Sequence, residues 1–250
     1  MNKIGIDIGS TNSKIAVLDE NNKLLWTYSS VTGFSGKKAA DILLGEAKKN
    51  GYSLEDAIIT ATGYGRVSAD FAAKKVTEIT CHARGSIYLF DDNNITIIDI
   101  GGQDTKIIDV QDGSVKDFIM NDKCSAGTGR FLDVMAKTLE VDTDELINLA
   151  KTGSGVKLSS LCTVFAESEI ISLIGKSETR ENIARGILDS IIEKVANLGN
   201  RLITKNKKIV LTGGLSNKEY ITKLLSDKLS CTVLGHPLGK YAGAIGAALQ

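Results

Sequence analysis

The chain has 250 residues, 30 basic and 30 acidic side chains, and 24% charged residues. It is long enough for one large core or two ordinary ones, and its balanced charge advertises no nucleic-acid or polyanion partner. Asp7 interrupts the N-terminal apolar run before it reaches signal-peptide length, and no stretch approaches the roughly 18 apolar residues of a membrane span, so a cytoplasmic protein with no membrane partner is expected.

Residues 3–9 (KIGIDIG) and 13–20 (SKIAVLDE) read as two strands joined by a short turn, and 23–30 (KLLWTYSS) as a third. A helical pattern over 39–51 ends at Gly51, placed as a C-cap. Residues 56–66 (DAIITATGYGR) are a strand entering a glycine turn, and 78–90 (EITCHARGSIYLF) a helix.

After residue 93 the pattern restarts. Residues 94–110 (NITIIDIGGQDTKIIDV) form a second strand-turn-strand, followed by the turn QDG and the segment SVKDFIM. Phe131, Met135 and Leu139 line one helical face, and Thr143 is placed to cap DELINLAK. Ile183, Ile187, Leu188, Ile191, Val195, Leu198 and Leu202 have the period of a buried helix face. Residues 207–229 read as strand, glycine turn and helix, with Ser216 and Glu219 as a capping box; 242–250 (AGAIGAALQ) is a small-residue helix. The alternation is α/β, with half-domains over 1–90 and 91–236 and a C-terminal helix, 237–250, returning to the first half.

The central feature is a repeat. Residues 6–15 (IDIGSTNSKI) and 98–107 (IDIGGQDTKI) share six of ten residues. Glycine in such a turn lets backbone N–H groups approach a ligand closely. Ser10, Thr11, Ser13, Gln103 and Thr105 add donors and acceptors, and Lys14 adds charge. Asp7 and Asp99 are hard oxygen ligands suited to Mg²⁺, often through water. One such turn is no more than a hairpin; two, facing across a cleft, form a clamp for a polyphosphate and its metal. The sequence lacks the other nucleotide signatures. IGKS at 174–177 has Ile170 where a P-loop needs glycine, and GTGRFL does not match the dinucleotide fingerprint.

Four cysteines, at 81, 124, 162 and 231, show no CxxC pair, and a reducing cytosol keeps them as thiols. Two histidines are too few for a typical zinc site. Cys124 and Cys162 each precede a segment read as helical, where N–H groups and the positive dipole end stabilise a thiolate or an iron–sulfur cluster. A [4Fe–4S] cluster takes four thiolates, so two per chain would require a two-fold dimer. Free cysteine is among the most buried residue types, so on the residues alone burial in a core is the stronger reading, and spacing does not decide. Cys81 and Cys231 are read as packed residues, Cys231 within a strand.

The two phosphate turns, VLTGG at 210–214 and the closing GAIGAA resemble the actin, Hsp70 and sugar-kinase superfamily of ATPases, with its duplicated ribonuclease H-like halves around a nucleotide cleft. That resemblance implies phosphate contacts from the turn Gly9 to Lys14 (Ser10, Thr11, Asn12, Ser13, Lys14) and from Gly101, Gly102, Gln103 and Asp104. It implies nucleoside contacts from Gly213 and Gly214, and metal duty for Asp7 and Asp99. Gln103 and Asp104 both remain candidates for orienting the attacking water. The strings IGIDIGSTNSKIAVLD, ATGYGR, EITCHARG, IDIGGQDTKII, NDKCSAGTGRFL, VFAESE and GILDSI are similar to the activator of 2-hydroxyacyl-CoA dehydratases, a relative of the ATP-binding subunits of benzoyl-CoA reductase (the BadF/BadG/BcrA/BcrD type). This implies ATP/ADP and Mg²⁺, one [4Fe–4S] cluster held by Cys124 and Cys162 of two subunits of a homodimer, and a nucleotide contact from Glu167. It also implies an anaerobic electron-transfer role, with ferredoxin or flavodoxin as donor. The acceptor would be an iron–sulfur dehydratase, a benzoyl-CoA-type reductase or a double-cubane cluster protein. Two alternatives stay open: a small-molecule kinase of N-acetylhexosamine type with Asp104 as base, and an actin-like filament protein. No acyl-CoA site is legible.

Overall fold

The structure, a computed structural model, describes residues 1–159, 162–204 and 206–250; Ser160 and Leu161, in the segment that carries Cys162, lie outside the described residues. β1 (Lys3–Ile8), β2 (Asn12–Leu18) and β3 (Leu24–Val31) make an antiparallel meander; β4 (Ile58–Thr62) and the short β5 (Lys74–Lys75) extend it in parallel on the other side of β1. β6 (Ile95–Ile100), β7 (Thr105–Gln111) and β8 (Ser114–Asn121) repeat the meander, and β9 (Lys208–Gly213) and β10 (Val233–Leu234) again add in parallel beside β6. The strand orders among the described residues are β3-β2-β1-β4-β5 and β10-β9-β6-β7-β8. The repeat seen in ten residues is thus a repeat of the whole sheet.

β1 and β6 are buried along nearly their full length, which explains their unbroken isoleucine runs: each sheet is covered on both faces. α1 (Gly36–Lys49) covers the outer face of the first sheet through Ala40, Leu43 and Ala47. α3 (Gly129–Thr138), α4 (Thr143–Ala150), α5 (Thr163–Gly175), α6 (Arg180–Gly199) and α7 (Glu219–Leu229) build the largest core on the second. Between the sheets lie α2 (Glu78–Phe90), whose Ala83 packs on β6, and α8 (Ala242–Ala248), whose Ala244 and Ala248 pack on β2.

The two middle helices cross closely because their contact is made of small residues. A Cβ on Gly246 would run into the Cys81 carbonyl, and one on Gly85 into the Ala242 carbonyl. Backbone cannot yield as a flexible side chain does. Gly246→Ala is therefore expected to lower stability by about 3 kcal/mol, the upper end for an added core methyl. Gly45→Ala, at an exposed helical site with open space around its Cβ, is expected to raise it by up to about 1 kcal/mol. Denaturant titration of both variants checks the contrast.

Several end signals differ from the sequence reading. α1 is capped by Asn50, with Gly51 at φ +86° one residue beyond. α4 is capped by Asp142, whose carboxylate accepts from Glu145 N at 2.8 Å; Thr143 is already helical and donates to Asp133. Asp142 competes better because its oxygen reaches the third N–H of the helix. The Ser216–Glu219 capping box does not form: α7 begins at Glu219 after Lys218, and Ser216 is buried against Gly239. Cys231 lies before β10 rather than in it, half-buried at the edge of the large core.

Candidate nucleotide and thiolate site

Both repeated turns place an aspartate opposite a lysine across their hairpin: Asp7 pairs with Lys14, and Asp99 with Lys106. In each case Nζ lies 3.4 Å from Oδ2. Burial works against the Lys14 ammonium, but the charges of Asp7 and Asp99 outweigh it and raise its pKa. Lys106 is buried more deeply and also meets Asp104 at 2.8 Å and Glu78 at 2.9 Å. Burial again lowers its affinity for the proton, and Asp99, Glu78 and Asp104 reverse that, so it stays charged. The Asp99 carboxyl is lifted by burial but held down, at about 2, by His82 and Lys106 and by the Thr212 hydroxyl that donates to Oδ1 at 2.8 Å.

Sequence reasoning did not assign Lys106, Glu78, His82 or Thr212. Lys106 was legible, since the repeat aligns it with Lys14; Glu78 and His82 carry no local signal. Glu78, His82 and Asp99 bring ligand atoms within 4.8 Å of one another. Lys106 Nζ already lies beside the two carboxylates, so the positive charge at this spot is an ammonium. Asp7 is different: its Oδ1 is buried with no hydrogen-bond partner among the described residues, which leaves an acceptor suited to the water shell of Mg²⁺.

The two turns touch. A Cβ on Gly102 would collide with the Thr11 side chain, so the absence of a side chain lets them meet. Ser10, Asn12 and Gln103 are exposed there, and Gly101, Gly102 and Thr11 are half-buried. Ser13, expected to face a phosphate, turns inward, its hydroxyl 2.8 Å from that of Thr32. Asp104 is likewise engaged, by Lys106, which leaves Gln103 as the free polar group on the second turn. β6 and β9 run parallel with Ile100 beside Gly213, so the third glycine turn stands next to the second repeated turn. Gly213 has φ +86°, and Gly214 is exposed with open space around it. A cavity of about 420 Å³ opens a few residues further on, lined by Ile147, Asn148, Lys151, Asn217, Lys218 and Tyr220 among others.

The second turn is bonded to the segment carrying Cys124. Thr105 Oγ1 donates to Gly127 O at 2.6 Å, and the N–H groups of Gly129 and Arg130 donate to the carbonyls of Gly101 and Gly102 at 2.9 and 2.8 Å. Cys124 does not stand at a helix start, as the sequence suggested. The four residues 125–128 intervene before α3, and Asn121 holds its backbone, accepting from Cys124 N and donating to Cys124 O. Cys162 is the N-cap residue of α5. The Ser125 and Thr163 hydroxyls, one residue beyond each cysteine, lie 2.8 Å apart. Both thiols are exposed, whereas Cys81 is buried and its thiol is pushed up to about 11, chiefly by desolvation. Glu167 is exposed on α5, in the helix that Cys162 caps.

Two twinned sheets with paired Asp–Gly turns between them define an ATPase of the actin-like, sugar-kinase fold. A ROK family glucokinase from Streptomyces griseus shares that fold at TM-score 0.61 and 16% identity, with 99% of this chain and 98% of the other covered. Residues 4–250 match the family model described as the BadF/BadG/BcrA/BcrD ATPase family, and the chain belongs to that family. It is 42% identical to the (R)-2-hydroxyglutaryl-CoA dehydratase activating ATPase of Acidaminococcus fermentans over 98% of this chain and 95% of the relative. It superposes at TM-score 0.90 and 38% identity on the activator of the 2-hydroxyisocaproyl-CoA dehydratase from Clostridium difficile with bound ADPNP, covering 100% and 93% of the two chains. The resemblance drawn from the sequence strings is borne out. No helix among the described residues is long and apolar enough to cross a membrane.

Proposed function

We propose that this ATPase is a cytoplasmic activator that couples ATP hydrolysis to low-potential one-electron transfer into a partner iron–sulfur enzyme, a 2-hydroxyacyl-CoA dehydratase or a reductase of benzoyl-CoA type. One observation carries the reading. The exposed Cys124 and Cys162 belong to segments joined through Ser125 and Thr163, and the first of these is bonded directly to the second phosphate turn.

The residues fit the groups the family implies. Cys124 and Cys162 offer two thiolates, half of what a [4Fe–4S] cluster takes, so two copies in a homodimer complete the set. Such a cluster, when bound, supplies a one-electron carrier whose potential responds to solvent access and nearby N–H groups. ATP lies between the half-domains, taken as 1–90 with 237–250 and as 91–236. Its phosphates rest on the N–H groups of Ser10, Thr11, Asn12 and Gly102 with Lys14 beside them, while Gly101, expected to join them, donates its N–H to Asp104 O at 2.9 Å and shapes the turn. Its nucleoside lies toward Gly213, Gly214 and the neighbouring cavity. Asp7 would hold Mg²⁺ through water; Asp99, expected to share that duty, is already engaged by Lys106, His82 and Thr212. Gln103 orients the attacking water, because Asp104 is occupied by Lys106; the same engagement disfavours Asp104 as a kinase base.

Loss of the γ-phosphate frees the second turn. The carbonyls of Gly101 and Gly102 then shift the start of α3, and Ser125 passes the displacement to Thr163 and α5. For one electron, 59 mV corresponds to about 1.4 kcal/mol, so hydrolysis can support some hundreds of millivolts. A ferredoxin or flavodoxin is the fitting donor, and the acyl-CoA substrate belongs to the partner.

Anaerobic purification with iron and acid-labile sulfide analysis tests this. About two irons per chain in a dimeric, coloured protein are expected. A colourless monomer that still hydrolyses ATP would refute it.

A further inference from the structure

We propose that a rim on the first half, formed by Phe34, Tyr64 and Val67 with Lys37 and Lys38, is where the electron-accepting enzyme docks, and that this partner presents there an acidic face with an apolar recess. The inference rests on the functional reading above and adds the place of contact.

The rim is made by residues 32–38, which follow β3, and 63–68, which follow β4. Both β3 and β4 run in the direction of β1, so these segments emerge at the strand ends that carry the first phosphate turn. In the second sheet β8 runs in the direction of β6 and delivers the Cys124 segment beside the second turn. The rim and the thiols therefore occupy corresponding ends of the two sheets.

Phe34 is 109% exposed, Tyr64 82%, Val67 70% and Val31 71%. Scattered apolar residues are normal on a surface, but these lie on two adjoining segments. A Cβ on Gly36 would lie 3.0 Å from Ile8 Cγ2 and 3.9 Å from Gly65 Cα, so both segments rest on the last residue of β1. They are also pinned. Thr32 N donates to Thr11 O at 2.9 Å, Thr32 Oγ1 to Gly9 O at 2.7 Å, and Arg66 Nη1 to Gly63 O at 3.0 Å. The side chains are held outward on a firm base, which lowers the ordering cost of binding.

Charge selects the partner. Lys37 and Lys38 are exposed in the first turn of α1, which contains no acidic residue. Cations there oppose the helix dipole, so the fold itself does not favour them. An acidic partner does. A second copy of this chain meeting the same rim across a two-fold axis would set lysine against lysine. Because Thr32 ties the rim to Gly9 and Thr11, the grip on the nucleotide governs how the rim stands relative to Cys124, and docking depends on the bound nucleotide.

The test uses anaerobically purified whole protein and, as probe, purified (R)-2-hydroxyglutaryl-CoA dehydratase from Acidaminococcus fermentans, with ADPNP for binding and ATP for activation. Phe34→Asp is expected to weaken binding and activation about 30-fold, the range of an aromatic anchor. Lys37→Glu/Lys38→Glu is expected to slow association about 10-fold at low salt and much less at high salt. ATPase rate, iron content and dimer mass are expected to stay at wild-type values in all variants. Wild type and variants that bind alike overturn the docking surface and leave the functional reading standing. A Phe34→Asp protein that loses its dimer shows the rim to be a contact between copies, which overturns the partner assignment. A wild type that neither binds nor activates this dehydratase overturns the docking inference, whereas the functional reading falls only if the protein is also colourless and monomeric.

Discussion

Replacing Cys124 or Cys162 with serine is expected to take bound iron from about two per chain to none, while Cys81→Ser and Cys231→Ser keep the full amount. If one cluster is shared by two subunits, either substitution removes two of its four ligands at once, because the two-fold axis duplicates every change. A serine hydroxyl does not ionise at neutral pH and cannot replace a thiolate. Cys81 is a poor ligand for two reasons: it is fully buried, and that desolvation pushes the thiol up to about 11. Iron and sulfide assays with visible absorbance read the result. ATP binding serves as the folding control, since neither Cys124 nor Cys162 lies in the two repeated turns. A Cys162→Ser protein with wild-type iron would sink the assignment.

The second large effect is expected at Lys106. Lys106→Met leaves Asp99, Asp104 and the partly buried Glu78 facing one another without their ammonium. Breaking a buried ion pair from one side costs about 3–5 kcal/mol, because the remaining charge stays desolvated. Lys14→Met is expected to cost much less, since the Lys14 side chain is 22% exposed and meets one carboxylate.

The pH dependence separates the two proteins. In the wild type the Asp99 carboxyl has a folded pKa of about 2, below its unfolded value. Its stabilisation, on the order of 2 kcal/mol, is therefore complete above about pH 4 and is lost as pH falls through 2. Lys106, raised on folding, contributes in the opposite sense: its share is complete below its unfolded pKa and is lost only in strong alkali. Glu78, raised by burial despite Lys106, opposes the Asp99 trend modestly. Without Lys106 the carboxylates bind protons more tightly when folded than when unfolded. Lys106→Met is then expected to gain more stability than the wild type as pH falls from 7 to 5, where in the wild type Glu78 alone among these carboxyls contributes in that direction, modestly. Denaturant midpoints at three pH values decide it, and a variant with the wild-type pH slope would contradict the charge account.

The repeated decapeptide made both strand-turn-strand hairpins readable without coordinates, because a glycine hairpin after an apolar strand is a local object set by near neighbours in the chain. The same holds for α2, whose predicted span agrees with the one observed, Glu78–Phe90. Cap assignments failed where two polar residues competed for one helix end, as Asp142 and Thr143 did. There a difference of one residue in reach decides the outcome, and sequence pattern does not resolve it.

What the sequence determined by itself is the doubled Asp-x-Gly turn, the family, and the helix start at Cys162. These are carried by residues whose chemistry depends on adjacent positions. Only the tertiary structure decided which polar groups are available. It turned Ser13 inward toward Thr32, took Asp104 out of service on Lys106, brought Glu78 and His82 from α2 to Asp99, and linked Ser125 to Thr163 across 38 residues. The physical reason is that hydrogen bonds and buried charge pairs are settled by distances of a few ångströms between segments remote in the chain. A one-dimensional pattern carries the donors and acceptors but not the partners they find.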